Sequence, residues 1–164
     1  QGIDYRLASD DDVDRAMSRL NVLDSNDNGE DAAGLKRDLQ SCMQNYFGVF
    51  RDGEYMKKGR EELHTMRDRV ANIAISDKSK AFNTARMEAL ELQNLFEVAE
   101  ATAISADERT ESRGAHSRRD FPERDDTNWL CHSLYHPKTK KLTKRDVNFV
   151  PKTVETFEPK ERTY

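Results

Sequence analysis

From Val13 to Ile104 apolar residues recur at helical spacing, and at Thr110 that recurrence stops. A chain patterned in this way must pack several helices along one stripe each and finish in something that is not helix. The strongest stripe follows Glu54, where Met56, Leu63, Met66, Val70 and Ile73 fall at steps of seven, three, four and three, with Gly59 in the missing position. Before it, Asp31 opens a helix carrying Leu35, Leu39, Cys42, Met43, Tyr46, Phe47 and Phe50 on one broad face, closed by Arg51, Asp52 and Gly53. A shorter leading helix starts at Asp10, Asp11 and Asp12, carboxylates that meet the positive end of the helix dipole, and carries Val13, Met17 and Leu20. Between these two, Asn28 and Gly29 mark a turn.

A fourth helix, capped by Asn83 or Thr84 and running to about Glu108, differs from the others. Its apolar residues, among them Met87, Leu92, Leu95, Phe96, Val98 and Ala103, occupy more than one face. Such a helix is central to a bundle or touches something beyond it. After Thr110, two β-rich stretches, Trp129 to Tyr135 and Leu142 to Val150, flank the polar turn His136 to Lys141 and predict a hairpin. An extended tail with Pro151 and Pro159 follows. The expected fold is therefore mainly α: an antiparallel bundle of three long helices and a short leading one over 1–110, a loop over 111–128, and a small β-hairpin with its tail over 129–164.

Composition limits what this bundle can do alone. Hydrophobic and charged residues each make up 35% of the chain and mean hydropathy is −0.96. That is thin material for a self-sufficient core, so either part of the chain is disordered or its core is completed elsewhere. The first residues, Gln1 to Leu7, carry no initiator Met and read as the continuation of a longer protein. No apolar run approaches the roughly 20 residues that cross a bilayer. Charge is laid out unevenly: Gln1 to Asp31 holds nine acids against three bases, and Lys138 to Tyr164 eight bases against four acids.

Few chemical motifs are present. Cys42 and Cys131 lie far apart without a C-x-x-C partner, which predicts reduced thiols rather than a disulfide or zinc site. His132 and His136 are four apart, a metal-binding spacing on a helix but not on the expected strand. Asp24, Asp27 and Glu30 lack the fixed oxygen positions of a calcium loop. Seven glycines form neither a G-x-G-x-x-G nor a Walker sequence, so no nucleotide or flavin cradle is expected here. The lysines near 138–145 surround a turn in a chain of net charge −4, which argues against a nucleic-acid partner.

The informative stretch is Glu111 to Asp126, with four arginines and five carboxylates in sixteen residues. Read plainly, it is a polar linker held by individually weak surface ion pairs. Read more sharply, Gly114 permits close backbone approach, Arg113 and Arg118 offer bidentate forks, and His116 adds a titratable donor, a set suited to docking on carboxylates or phosphates. Residue types and spacing leave both readings open.

At this loop the chain resembles a known family. The run from Asn83 and Thr84 through Glu91-Leu92-Gln93-Asn94-Leu95, then Glu111-Ser112-Arg113-Gly114-Ala115-His116 and Phe121-Pro122 with Arg124-Asp125-Asp126, is similar to the flavoprotein subunits of succinate dehydrogenases and fumarate reductases. Asn128-Trp129-Leu130-Cys131-His132-Ser133-Leu134-Tyr135 and the ending Arg162-Thr163-Tyr164 look like the bacterial succinate dehydrogenase branch. Aspartate oxidases share a related Arg-Gly-x-His stretch.

The resemblance implies a C-terminal helical domain that packs on a flavin domain. In that family the covalently attached FAD and the substrate-binding residues lie upstream, so no catalytic and no cofactor-binding residue is carried over to this chain. Arg113, Gly114, His116, Arg118 and Arg124 are expected at the interdomain contact. The implied partners are the flavin domain of the same polypeptide, an iron–sulfur subunit, membrane-anchor subunits and a flavinylation or assembly factor, at the cytoplasmic side of a bacterial inner membrane. The competing expectations are the equivalent domain of a fumarate reductase or aspartate oxidase, and a stand-alone helical adaptor whose Arg-rich loop binds an acidic partner.

Overall fold

The computed structural model describes residues 5–157 and residue 160. Gln1 to Asp4 of the lead, and Pro159 and Arg162 to Tyr164 of the expected tail, lie outside the described residues. The elements run α1 (Asp10–Ser25), β1 (Glu30–Asp31), α2 (Ala32–Phe47), β2 (Phe50–Arg51), α3 (Gly53–Ala71), β3 (Ile73–Ala74), α4 (Thr84–Glu108), β4 (Ser117–Arg118), α5 (Asp126–Trp129), β5 (Cys131–His136) and β6 (Lys141–Asp146). The protein is a mainly α helical bundle with a small antiparallel hairpin.

The helices start where side chains satisfy orphan amides. Ser9 and Asp12 form a reciprocal capping box on α1, Asp31 accepts from Gly34 on α2, Asp52 from Glu54 on α3, and Asn83 from Arg86 on α4. Three of these helices make the core. Leu35, Leu39, Cys42 and Phe47 of α2 pack with Met56, Leu63, Met66 and Val70 of α3 and with Ala89, Leu92, Phe96 and Ala103 of α4. Gly59 lets α2 and α3 close up, since a Cβ there would sit 2.5 Å from Tyr46 Cβ and 2.6 Å from Phe47 Cε2.

Several local expectations change. The leading helix is not short, for α1 and α2 have 16 residues each. Its stripe does not enter the core either: Val13 and Met17 remain about half exposed, and Leu23 is the residue that is buried. Helix α2 stops at Phe47 with Gly48 as its cap, which leaves Phe50 67% exposed under the Arg119 guanidinium. Arg51 and Asp52 serve β2 and the α3 cap instead of ending α2.

Trp129 belongs to a one-turn helix capped by Asp125, not to the hairpin, whose strands pair Cys131 with Asp146 through His136 with Lys141. The second arm ends at Asp146, short of the expected Val150. Two-residue parallel pairs also stitch the bundle, β1 with β3 and β2 with β4, the latter aligning Arg51 with Arg118. No alternation could announce strands so short.

Beyond these elements, α4 carries a second face. Met87 and Val98 are 58% and 64% exposed, on the opposite side from the buried Leu92, Phe96 and Ala103. At its middle, Glu100 is buried and joined by Arg67 of α3 and Lys140 of the hairpin turn, and it accepts a 2.9 Å bond from the Tyr135 hydroxyl. This carboxylate helps fasten the hairpin to the bundle.

Candidate functional site

The last turn of α4 leaves backbone carbonyls without helical partners, and the helix dipole makes that end attractive to cations. Arg118, only 3% exposed, answers both. Its Nη1 donates to the carbonyls of Ala106 (3.2 Å), Asp107 (2.9 Å) and Arg109 (3.2 Å), while Nε and Nη2 grip Asp120 at 2.7 and 2.6 Å. That bidentate partner holds the Asp120 carboxyl down at about 2, against the opposing effect of burial. Asp120 also receives the Gly53 amide at 3.1 Å, so the same pair ties the loop to the start of α3.

A second carboxylate organises the rest of the loop. Glu111 is fully buried, and its oxygens accept from Arg113 Nε (2.8 Å) and Nη2 (3.0 Å), from the Asp125 amide (2.8 Å) and from Arg109. Burial pushes its pKa up, but the Arg113 fork, the Asp125 amide and Arg109 outweigh that and keep the carboxyl below its ordinary range. Arg113 continues to Asp126 at 2.6 Å, and Arg124 reaches the other oxygen of Asp126 at 2.8 Å. Arg109 goes on to the carbonyls of Trp129 (2.9 Å) and Cys131 (2.6 Å) and stacks on the Trp129 ring, whose other contact is Lys144.

Between Arg113 and His116 the chain reverses in two residues, closed by bonds of 2.8 and 3.0 Å between their backbones. Gly114 takes φ +58° at the first of the two, as tight hairpin turns of this kind favour. Nothing lies within 4 Å of where its Cβ would be, so the glycine serves the turn and not the close approach expected of it.

His116 is half-buried behind this turn. Its Nδ1 lies 2.7 Å from Arg51 Nη1 and its Nε2 3.1 Å from the Arg109 carbonyl. An arginine can only donate, so Nδ1 accepts and Nε2 carries the proton, the neutral tautomer. Burial first, and then the positive charges of Arg51, Arg118 and Arg109, hold the His116 pKa below its ordinary value despite the bond to the Arg109 carbonyl.

The structure thus brings Arg113, Gly114, His116, Arg118 and Arg124 into one knot, together with Glu111, Arg109, Asp120 and Arg51. The last four were not singled out by sequence, although an acid just past an apolar helix and flanked by arginines is the available signal for Glu111. Beside the knot a groove of about 750 Å³ opens between α4 and β5, walled by Val98, Ala101, Ser105, Arg51, His116 and His132. Both cysteines are free; Cys42 is buried, and Cys131 at the groove is only half-buried.

Chemically the cluster is a positioning device. Apart from Arg51, its guanidiniums are committed to carboxylates and helix-end carbonyls, and it offers no flavin-phosphate cradle among the described residues. Among the described residues no group of three or more His, Cys, Asp or Glu could hold a metal ion, and no helix is long and apolar enough to cross a membrane.

Comparison with known proteins places this geometry in context. Residues 36–164 match the family model described as fumarate reductase flavoprotein C-term. The succinate dehydrogenase flavoprotein subunit of Coxiella burnetii is 46% identical over 158 residues, 96% of this chain and 27% of that protein. A fumarate reductase flavoprotein subunit of Mycobacterium tuberculosis is 38% identical over 136 residues, 83% of this chain and 23% of that protein. Among solved structures, an E. coli quinol fumarate reductase superposes with a TM-score of 0.76 at 30% identity, covering 93% of this chain and 27% of that one. The chain spans about a quarter of the length of the relatives it matches.

Proposed function

The chain belongs to the family of C-terminal domains of succinate dehydrogenase and fumarate reductase flavoprotein subunits, and from that premise we propose that it serves a succinate dehydrogenase. In this reading the parent polypeptide oxidises succinate to fumarate and passes electrons through a covalent FAD to an iron–sulfur subunit and quinone. The observation that carries the choice is the 46% identity to a succinate dehydrogenase subunit across 96% of the chain, against 38% across 83% for a fumarate reductase subunit. Fumarate reduction is the second reading, supported by the E. coli superposition. Initial rates of the full polypeptide in its complex, with succinate and with fumarate, separate the two.

The domain's own task is to cover the flavin domain and order it for cofactor attachment. The loop over 111–128 supplies the interdomain contact, with Arg113, Gly114, His116, Arg118 and Arg124 shaping it. Their internal ion pairs favour a preformed surface: docking on a rigid loop costs less ordering entropy than docking on free arginines. The exposed face of α4 contributes surface to the flavin domain, the iron–sulfur subunit or an assembly factor. The membrane-anchor subunits then hold this peripheral subunit at the cytoplasmic side of the inner membrane. In the full subunit, Arg113→Ala unties Glu111 from Asp126 and lowers covalent flavin attachment; wild-type attachment and activity would contradict this role.

A further inference from the structure

One cation of the knot lacks the compensation that the others have. Arg109, Arg113, Arg118 and Arg124 each lie within 4 Å of a carboxylate. Arg51, half-buried in their midst, has only neutral partners among the described residues: Nε donates to the Phe47 and Gly48 carbonyls at 3.2 Å, and Nη1 to His116. Its Nη2 has no partner among the described residues, and the side chain lines the groove between α4 and β5. A guanidinium half withdrawn from water without a counter-ion is disfavoured, and a carboxylate partner relieves that cost. Burial, then repulsion from Arg118, weakens its hold on its proton, the direction expected of an uncompensated cation.

The groove around Arg51 fits an acidic side chain better than a free small anion. Val98, Ala101 and Ala106 give it an apolar wall suited to the stem of a protein side chain, Ser105 and His132 add polar groups to the lining it shares with Arg51, and Glu97 is the acidic residue of that lining. We propose that this groove receives an Asp or Glu carboxylate from the flavin-domain portion of the longer polypeptide, with Arg51 as its counter-ion. This rests on the docking role proposed above and names the contact that carries it. The bond to neutral His116 holds Arg51 in place for the incoming carboxylate, and the exposed Val98 beside the groove becomes part of the covered surface.

Carbethoxylation of histidines in the full-length subunit, timed against free N-acetylhistidine, tests this because His132 is an exposed residue on the groove rim. His132 reacts about tenfold more slowly than the free amino acid when an interface covers it. Arg51→Gln restores fast reaction, and Arg51→Lys, which keeps the charge, does not. Slow labelling in all three proteins would mean a covered groove without the ion pair, and would overturn the assignment to Arg51. Fast labelling of His132 in the wild-type subunit, which needs no variant to interpret, overturns the groove as a contact. Oxidation of the exposed Met87 then separates the outcomes: slow oxidation leaves the domain docked through another face, whereas fast oxidation together with fast His132 labelling removes the docking role as well.

Discussion

Glu111→Gln isolates what the buried carboxylate contributes, because the side chain keeps its shape and loses only its charge. In the native loop two guanidiniums and the Asp125 amide converge on it. The amide nitrogen that the substitution introduces would have to face one of those donors, turning an attraction into a donor–donor contact. Removing one partner from a buried ion pair costs about 3–5 kcal/mol.

The low end applies here. Arg113 keeps Asp126, Arg109 keeps the Trp129 and Cys131 carbonyls, and their side chains remain 28% and 15% exposed, so solvent screens part of the loss. The expected cost is about 3 kcal/mol, which for a chain of this size lowers Tm by roughly 6–12 °C. Thermal unfolding followed by circular dichroism measures it, with the exposed Glu123→Gln as the control expected to fall within about 0.5 kcal/mol of wild type. Arg113→Met costs less when combined with Glu111→Gln than in wild type, since its main partner is already gone. A loss below about 1 kcal/mol for Glu111→Gln would refute the view that this carboxylate organises the loop.

His116 is held neutral, with its folded pKa depressed below the ordinary 6.5. The unfolded chain therefore binds more protons just below pH 6.5, and stability falls as pH is lowered through that value; His116→Gln flattens this arm of the profile in denaturant titrations. Asp120, held at about 2, adds stability that persists down to its ordinary value of 3.8 and disappears only as pH falls toward 2. Gly59→Ala forces a methyl against Tyr46 and Phe47, and overpacking of about 1–3 kcal/mol outweighs a helix-propensity gain of about 1 kcal/mol, so urea unfolding shifts to lower concentration. The Cys42 thiol is pushed up to about 12 by burial and then by Glu62, so a maleimide at neutral pH labels Cys131 first and Cys42 only on unfolding.

What could be read from sequence followed the range of the interactions. Helices α2, α3 and α4 announce themselves because apolar periodicity and Asx caps are local, and even Gly59 shows as a gap in a stripe that the structure explains as an α2–α3 approach. The burial of Leu23 escapes the sequence and Phe50 is misplaced by it for one reason: a stripe shows which side of a helix is apolar, not which end of it reaches the core. Arg113, His116 and Arg118 stood out by residue type, but their partners did not. Arg51 meets His116 across 65 residues and Arg118 closes the end of α4, contacts that only the packed bundle brings together. Glu100 was hidden in the same way, an acid at a buried position of α4 whose partners lie on α3 and the hairpin turn.

As proposed above, this domain serves flavin chemistry performed elsewhere in the subunit. The most direct test purifies residues 1–164 and the full-length subunit side by side, reading visible flavin absorbance and succinate-dependent dye reduction in each. Bound flavin and turnover are expected for the full-length subunit and neither for residues 1–164. Flavin retained by residues 1–164, with succinate-dependent reduction, would contradict the proposal.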